Sequence, residues 1–150
     1  MELIDFLIEA KLAGYASGDQ GQKVEFEDNS VGFRYESDTY RYLDKFFGFN
    51  PFSGSEFVFD LDGNLVWTMN YFGKIASSCS EPSEVYTFLR EAMLKIDSGS
   101  PFRGPPKFEK PGYCYKNDQT GSLERFEGKE CIFKNDQEIY LLNYHGGAMK

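Results

Sequence analysis

The sequence predicts an α+β fold: two diverged helix-strand-strand-strand repeats that form a mostly antiparallel sheet with the two helices on one face. Three observations lead there. The chain carries 15 Phe and 10 Tyr among 150 residues, and aromatic side chains favour strands and bury large areas. Two stretches have helical apolar spacing, and each is followed by strand-like alternation. An ordered set of short motifs recurs at a nearly constant offset. The length fits a single domain, 1–150, which can bury roughly two-thirds of its unfolded surface without a disulfide or metal staple.

Residues 2–12 read as a short amphipathic helix, because Leu3, Phe6, Leu7 and Ala10 fall at i, i+3, i+4, i+7 spacing; Gly14 is its expected stop. Residues 17–30, rich in Gly, Asp, Gln, Asn and Ser, read as a long polar loop. Strands are expected at 31–36 and 39–47, where Phe33, Tyr35, Tyr40 and Tyr42 alternate. A hairpin follows: Glu56-Phe-Val-Phe, a turn at Asp62-Gly63, then Leu65 to Tyr71. Glycine accepts the positive φ such a turn needs. After a polar linker at 75–80 comes a helix over 82–96, opened by Pro82 and striped by Val85, Phe88, Leu89, Ala92 and Ile96. Four prolines between Ser98 and Gly112 make that stretch a crossing loop or a sheet edge. Three strands are expected near 112–117, 129–134 and 138–145.

The recurrence runs through most of this order. Tyr40-x-Tyr42 returns as Tyr113-x-Tyr115, offset by 73. Phe52-x-Gly54-x-Glu56-x-Val58-Phe59 returns as Phe126-x-Gly128-x-Glu130-x-Ile132-Phe133, offset by 74, and Asn70-Tyr71-x-Gly73 returns as Asn143-Tyr144-x-Gly146, offset again by 73. Trp67, Met69 and Tyr71 then match Tyr140, Leu142 and Tyr144 on one strand face, while Val66 and Thr68 match Ile139 and Leu141 on the other. The helices match too, Phe6-Leu7-x-Glu9-Ala10 with Phe88-Leu89-x-Glu91-Ala92. Repeat one spans about 2–74 and repeat two about 82–147, related by a pseudo-twofold axis.

The net charge of −8 and the lack of any basic run argue against direct nucleic-acid binding. Cys79, Cys114 and Cys131 form neither a disulfide framework nor a zinc pattern, which suits a reducing cytoplasm. No secretory leader or membrane-spanning run is expected, and no cofactor.

Three motifs, Trp67-x-Met-Asn-Tyr-x-Gly73, Pro101-Phe-Arg-Gly-Pro105 and Asn143-Tyr-His-Gly-Gly147, resemble the bacterial and archaeal family catalogued as domain of unknown function 5680 (DUF5680). The resemblance covers Phe6 to Gly147. These are packing-type motifs. Some members of that family carry a repressor-type helix-turn-helix before the domain, so the resemblance implies an effector-sensing or partner-binding attachment to a regulator. Here the chain opens on the domain's first helix, and a transcriptional role is expected to act through another chain.

The candidate ligand-binding residues are Trp67, Asn70, Tyr71, Arg103, Tyr140, Asn143, Tyr144 and His145. Trp67, Tyr71, Tyr140 and Tyr144 share one strand face. Under the helices they are core; on the open side they form a floor for a flat apolar or cationic ligand. Arg103 clamps an anion or pairs with a carboxylate. His145, the single histidine, is the residue type suited to proton transfer but has no evident partner, and Phe72 holds the matching place. Glu56 and Glu130 are candidate paired carboxylates. The structural alternative has each Glu closing its own turn onto backbone N–H groups, and Asn70 and Asn143 satisfying buried backbone near their glycines. No residue is assigned as catalytic and none as a metal ligand.

These features point to a ligand-binding or regulatory module that senses a small-molecule effector. The alternative is an acidic protein-interaction or inhibitor protein using Asp19, Glu25, Glu27 and Asp28. A hydrolytic enzyme would need His145 and a Glu in one cleft. Exposed edge strands leave a homodimer open.

Overall fold

Alternating aromatic and polar residues assemble into one nine-stranded antiparallel sheet. The structure, a computed structural model, describes residues 1–20 and 22–150. Helix α1 (Leu3–Ala13) and a 3-10 segment (Tyr15–Gln20) precede β1 (Lys23–Glu25), β2 (Val31–Glu36), β3 (Tyr40–Gly48), β4 (Phe52–Asp60) and β5 (Leu65–Ile75). Helix α2 (Pro82–Met93) precedes β6 (Lys107–Lys110), β7 (Tyr113–Ser122), β8 (Arg125–Lys134) and β9 (Gln137–Ala148). The spatial order is β1-β2-β3-β4-β5-β9-β8-β7-β6. No helix among the described residues is long and apolar enough to cross a membrane.

Each helix therefore leads into more than three strands, five after α1 and four after α2. Of the two edge strands, β6 falls in the proline-bearing stretch expected as a crossing loop or sheet edge, whereas β1 was not expected. Strand β1 lies in the polar stretch and buries almost nothing. Strand β6 is four residues between prolines, with only Phe108 half-buried. Neither is long enough to show a period of two. The β7–β8 hairpin also runs further than expected, pairing Asn117–Ser122 with Arg125–Glu130, because its polar residues carry no apolar alternation.

The expected turn between β4 and β5 is present. Gly63 has φ +88°, and its N–H donates to the Asp60 carbonyl at 3.1 Å. In α2, Pro82 occupies the first turn, and Val85, Tyr86, Phe88, Leu89, Ala92 and Met93 are buried. In α1, Phe6, Leu7, Ala10 and Lys11 are buried. Side chains from both helices join one core cluster with the inward residues of the sheet, including Tyr42, Val58, Trp67, Met69, Tyr71, Ile132, Tyr140, Leu142 and Tyr144. Each large apolar side chain so buried contributes roughly 1.5–3 kcal/mol. The opposite face exposes Arg34, Arg41, Asn70, Lys74, Asn143 and His145. Ile139, expected on that face, is buried; it lies near the bulge that shifts the β8–β9 register between Ile132 and Phe133.

At the centre of the sheet β5 pairs with β9. Tyr71 lies opposite Tyr144, flanked by Asn70 opposite His145 and Phe72 opposite Asn143.

Candidate functional site

The central strand pair divides the sequence-derived candidates between two faces. Trp67, Tyr71, Tyr140 and Tyr144 turn toward the helices and are buried, whereas Asn70, Asn143 and His145 are exposed on the other side. The eight residues do not converge on one place. Trp67 is wholly buried, stacked on Phe102 and Phe126 with ring centroids 6.4 and 5.6 Å away. Its indole N–H is the one buried side-chain donor without a partner among the described residues. Asn70 accepts from the Ser55 hydroxyl at 2.7 Å, so it serves another side chain and not the buried backbone. Asn143 is likewise exposed. His145 borders a wide depression of about 470 Å³ with Arg125 and Glu127. Of the acidic loop residues, Glu25, Glu27 and Asp28 are exposed, and Asp28 pairs with Lys45 at 2.7 Å. The Asp19 side chain lies outside the described residues.

Glu56 and Glu130 do not close their own turns. Each is the hub of a buried polar cluster fed from other strands. Glu130 on β8 accepts from Arg103 Nε (3.2 Å) and Nη2 (2.9 Å), from the Tyr115 hydroxyl (2.6 Å) and from the Tyr140 hydroxyl (2.8 Å). Arg103 arrives on the segment Ser100–Gly104, which is itself held in place. The Gly104 N–H donates to Tyr115 Oη at 3.0 Å, and the Gly104 carbonyl accepts from Asn117 Nδ2 at 2.9 Å and Ser100 Oγ at 2.6 Å. Glu56 on β4 accepts from Lys11 Nζ and from the Tyr42 hydroxyl, the latter at 2.5 Å.

Beside each hub a tyrosine spans to the next strand but one. Tyr71 donates to Asp44 Oδ1 at 2.6 Å, and Tyr144 donates to Asn117 Oδ1 at 2.7 Å. The glycine of each Phe-x-Gly-x-Glu motif makes this possible. A Cβ on Gly54 would stand 2.5 Å from Tyr71 Oη, and one on Gly128 2.2 Å from Tyr144 Oη. The motif therefore encodes a cross-strand device: the glycine clears a path for a tyrosine, and the glutamate two residues on collects hydroxyls.

Burial sets the electrostatics. It pushes the phenols of Tyr42, Tyr71, Tyr115 and Tyr140 well above the usual tyrosine range, so they act as donors. Burial opposes the Arg103 charge, but Glu130 together with Tyr140 and Tyr115 outweighs it, and the guanidinium is held well above its ordinary pKa. Burial lowers the Lys11 pKa, with Glu56 pulling the other way. Asp44 is 7% exposed. Burial, then the neighbouring Glu56 charge, pushes its carboxyl up to about 7, against the hydrogen bond from Tyr71 and the charges of Lys11 and Arg103.

The Glu56 side of this network opens into a cavity of about 510 Å³. Its floor is Lys11, Tyr42, Asp44, Glu56, Tyr71 and Arg103. Its walls include Phe33, Phe46, Phe49, Phe52, Tyr15 and Tyr86. Strand alternation places Phe46 on the same face as Tyr42 and Asp44, and Phe52 on the same face as Glu56. Helix α2 closes the far side: Tyr86 donates to the Phe49 carbonyl and packs on Phe49 and Phe52 at 5.1 and 5.8 Å.

Tyr71, Arg103 and Glu56 were legible as candidates in the sequence. Lys11, Tyr42 and Asp44 were missed, although two signals exist. Lys11 follows Leu7 by four residues and so falls in the apolar stripe of α1; Asp44 interrupts the aromatic alternation Tyr42, Phe46.

A family model described as "Domain of unknown function (DUF5680)" matches residues 44–149. No curated protein and no solved structure matches the chain.

Proposed function

The chain belongs to the DUF5680 family, and we propose that it is a small-molecule-binding module whose site is the cavity over Asp44, serving as the sensing part of a regulatory system. The cavity itself carries this reading. Its volume of about 510 Å³ falls within the roughly 300–1,000 Å³ of ligand sites, and aromatic walls over a few convergent polar groups are the usual lining. The walls supply area for a flat apolar body. The floor supplies direction, through the Asp44 carboxyl and the hydroxyls of Tyr42 and Tyr71.

We read the surrounding fold as two diverged copies of one helix-plus-four-strand unit. Several contacts support this beyond the sequence offsets. Phe6 packs on Tyr35 and Tyr40 at 5.8 and 5.3 Å, and Phe88 packs on Phe108 and Tyr113 at 5.5 and 5.1 Å. The Tyr42–Glu56 and Tyr71–Asp44 bonds have counterparts in Tyr115–Glu130 and Tyr144–Asn117. Duplication would give the chain two similar sites, of which one has been filled by the Ser100–Gly104 segment and the other left open.

Native mass spectrometry of gently purified protein tests the binding role, followed by thermal-shift screening of small aromatic compounds. A mass adduct lost on denaturation, or a saturable stabilisation, is expected. Phe49→Ala should weaken it at least several-fold while the protein stays folded, since Phe49 is 60% exposed at the cavity wall. No adduct and no saturable shift from any compound would sink the reading.

A further inference from the structure

We propose that the cavity takes a ligand that sets a cationic N–H group, an amine or amidine, on Asp44, behind a flat aromatic body. This rests on the reading of the cavity as a small-molecule site and adds the chemistry of the occupant.

The argument starts from charge pairing in the buried network. Among the described residues it holds three carboxylates, Glu56, Glu130 and Asp44, and two cations, Lys11 and Arg103. Arg103 is committed to Glu130 and Lys11 to Glu56. Asp44 has no ion-pair partner among the described residues; its hydrogen bond there comes from the neutral Tyr71 hydroxyl. A buried carboxylate without its own cation is expensive, and real sites avoid it by protonation or by pairing. The groups that face Asp44 are Lys11 from α1, Tyr42 on its own strand, Glu56 from β4, Tyr71 from β5 and Arg103 from the segment before β6. Burial and Glu56 prevail among them, and the carboxyl titrates at about 7.

Nothing in the fold demands an acid at this place. Asn117 receives the Tyr144 hydroxyl as Asp44 receives that of Tyr71, and Asn117 remains neutral with its amide bonded to Gly104. The acid appears where the cavity is open and the amide where it is closed. The aromatic walls fit the same occupant, since ring faces attract cations.

Three probes of one shape separate the outcomes: tryptamine, which is cationic, indole, which is neutral, and indole-3-acetate, which is anionic. Each is titrated calorimetrically into the full chain at pH 8. Tryptamine should bind at least tenfold more tightly than indole, and indole-3-acetate more weakly than either. Asp44→Asn should abolish the tryptamine preference. The preference should also fade as pH drops below about 7, where Asp44 takes up a proton. Circular dichroism confirms that the variant is folded, and Phe49→Ala, which touches no charge, should weaken tryptamine and indole alike. Indole or indole-3-acetate binding as tightly as tryptamine would overturn the inference and leave the small-molecule reading standing. Binding by none of the three at millimolar concentration would count against both.

Discussion

The Glu56 and Glu130 clusters are built from the same parts, and they differ in how completely they are closed. Glu130 takes two bonds from a guanidinium and two from tyrosines. Around it, Ser100, Gly104 and Asn117 satisfy one another. Glu56 takes one ammonium and one hydroxyl. Trp67, which in the sequence offset stands where Tyr140 stands, brings a ring and no hydroxyl; its indole N–H lacks a partner, and Lys11 Nζ lies 5.8 Å from its ring centroid. A fully satisfied buried network specifies structure, whereas a partly satisfied one leaves groups for something else to meet. On the proposed reading, the closed cluster is scaffold and the open one is the site.

Removing the two hubs should produce the largest separation between the clusters. Glu130→Ala leaves a buried guanidinium that cannot lose its proton, along with two stranded hydroxyls, and should cost about 3–5 kcal/mol by urea denaturation. Glu56→Ala leaves Lys11, whose pKa burial already lowers. An ammonium can shed its proton, so the loss should be nearer about 2 kcal/mol. Equal losses would erase the contrast.

Asp44→Asn gives the open cluster the amide of the closed one. The carboxyl titrates at about 7 in the fold against an ordinary value of 3.8. Between those values the folded chain holds a proton that the unfolded chain has released. Stability contributed by this group is therefore full at low pH, falls as pH rises from about 4 to about 7, and is level above that. The variant should lack this slope and be more stable than the parent at pH 8, as thermal melts at pH 5 and pH 8 will register. A parent melt that rises across that interval relative to the variant would contradict the assignment. The smallest effects belong to the tyrosines. Tyr144→Phe strands the Asn117 carbonyl in a closed interior and should cost about 1 kcal/mol. Tyr71→Phe should cost less than about 0.5 kcal/mol, because Asp44 borders an open cavity where water can replace the hydroxyl. An NMR titration of Asp44 should show its pKa rising further in that variant, since the Tyr71 bond favours the charged form.

Legibility followed the range of the interaction. Helices, the Asp62-Gly63 turn and the strand parity were readable because they depend on neighbours within a few residues. The Phe-x-Gly-x-Glu motif was readable as a recurrence, yet its work was assigned locally, to its own turn. Its partners lie far along the chain: Lys11 and Glu56 are 45 residues apart, Tyr71 and Asp44 are 27, and Arg103 and Glu130 are 27. Short edge strands such as β1 and β6 left no periodic trace, because their residues face solvent on most sides.

By itself the sequence determined the two helices, the longer strands and, away from the bulge at Ile139, their parity and the side chains that share a face, since these follow from backbone geometry and a period of two. It also determined that the same aromatic and acidic residues recur in order. Only the tertiary structure decided which face the helices cover, which buried carboxylate keeps no cation of its own, and which cluster stays open. Those outcomes depend on where α1, α2 and the Ser100–Gly104 segment pack against the sheet. That packing places the charge of Lys11 on Glu56 and that of Arg103 on Glu130, and leaves Asp44 to the cavity.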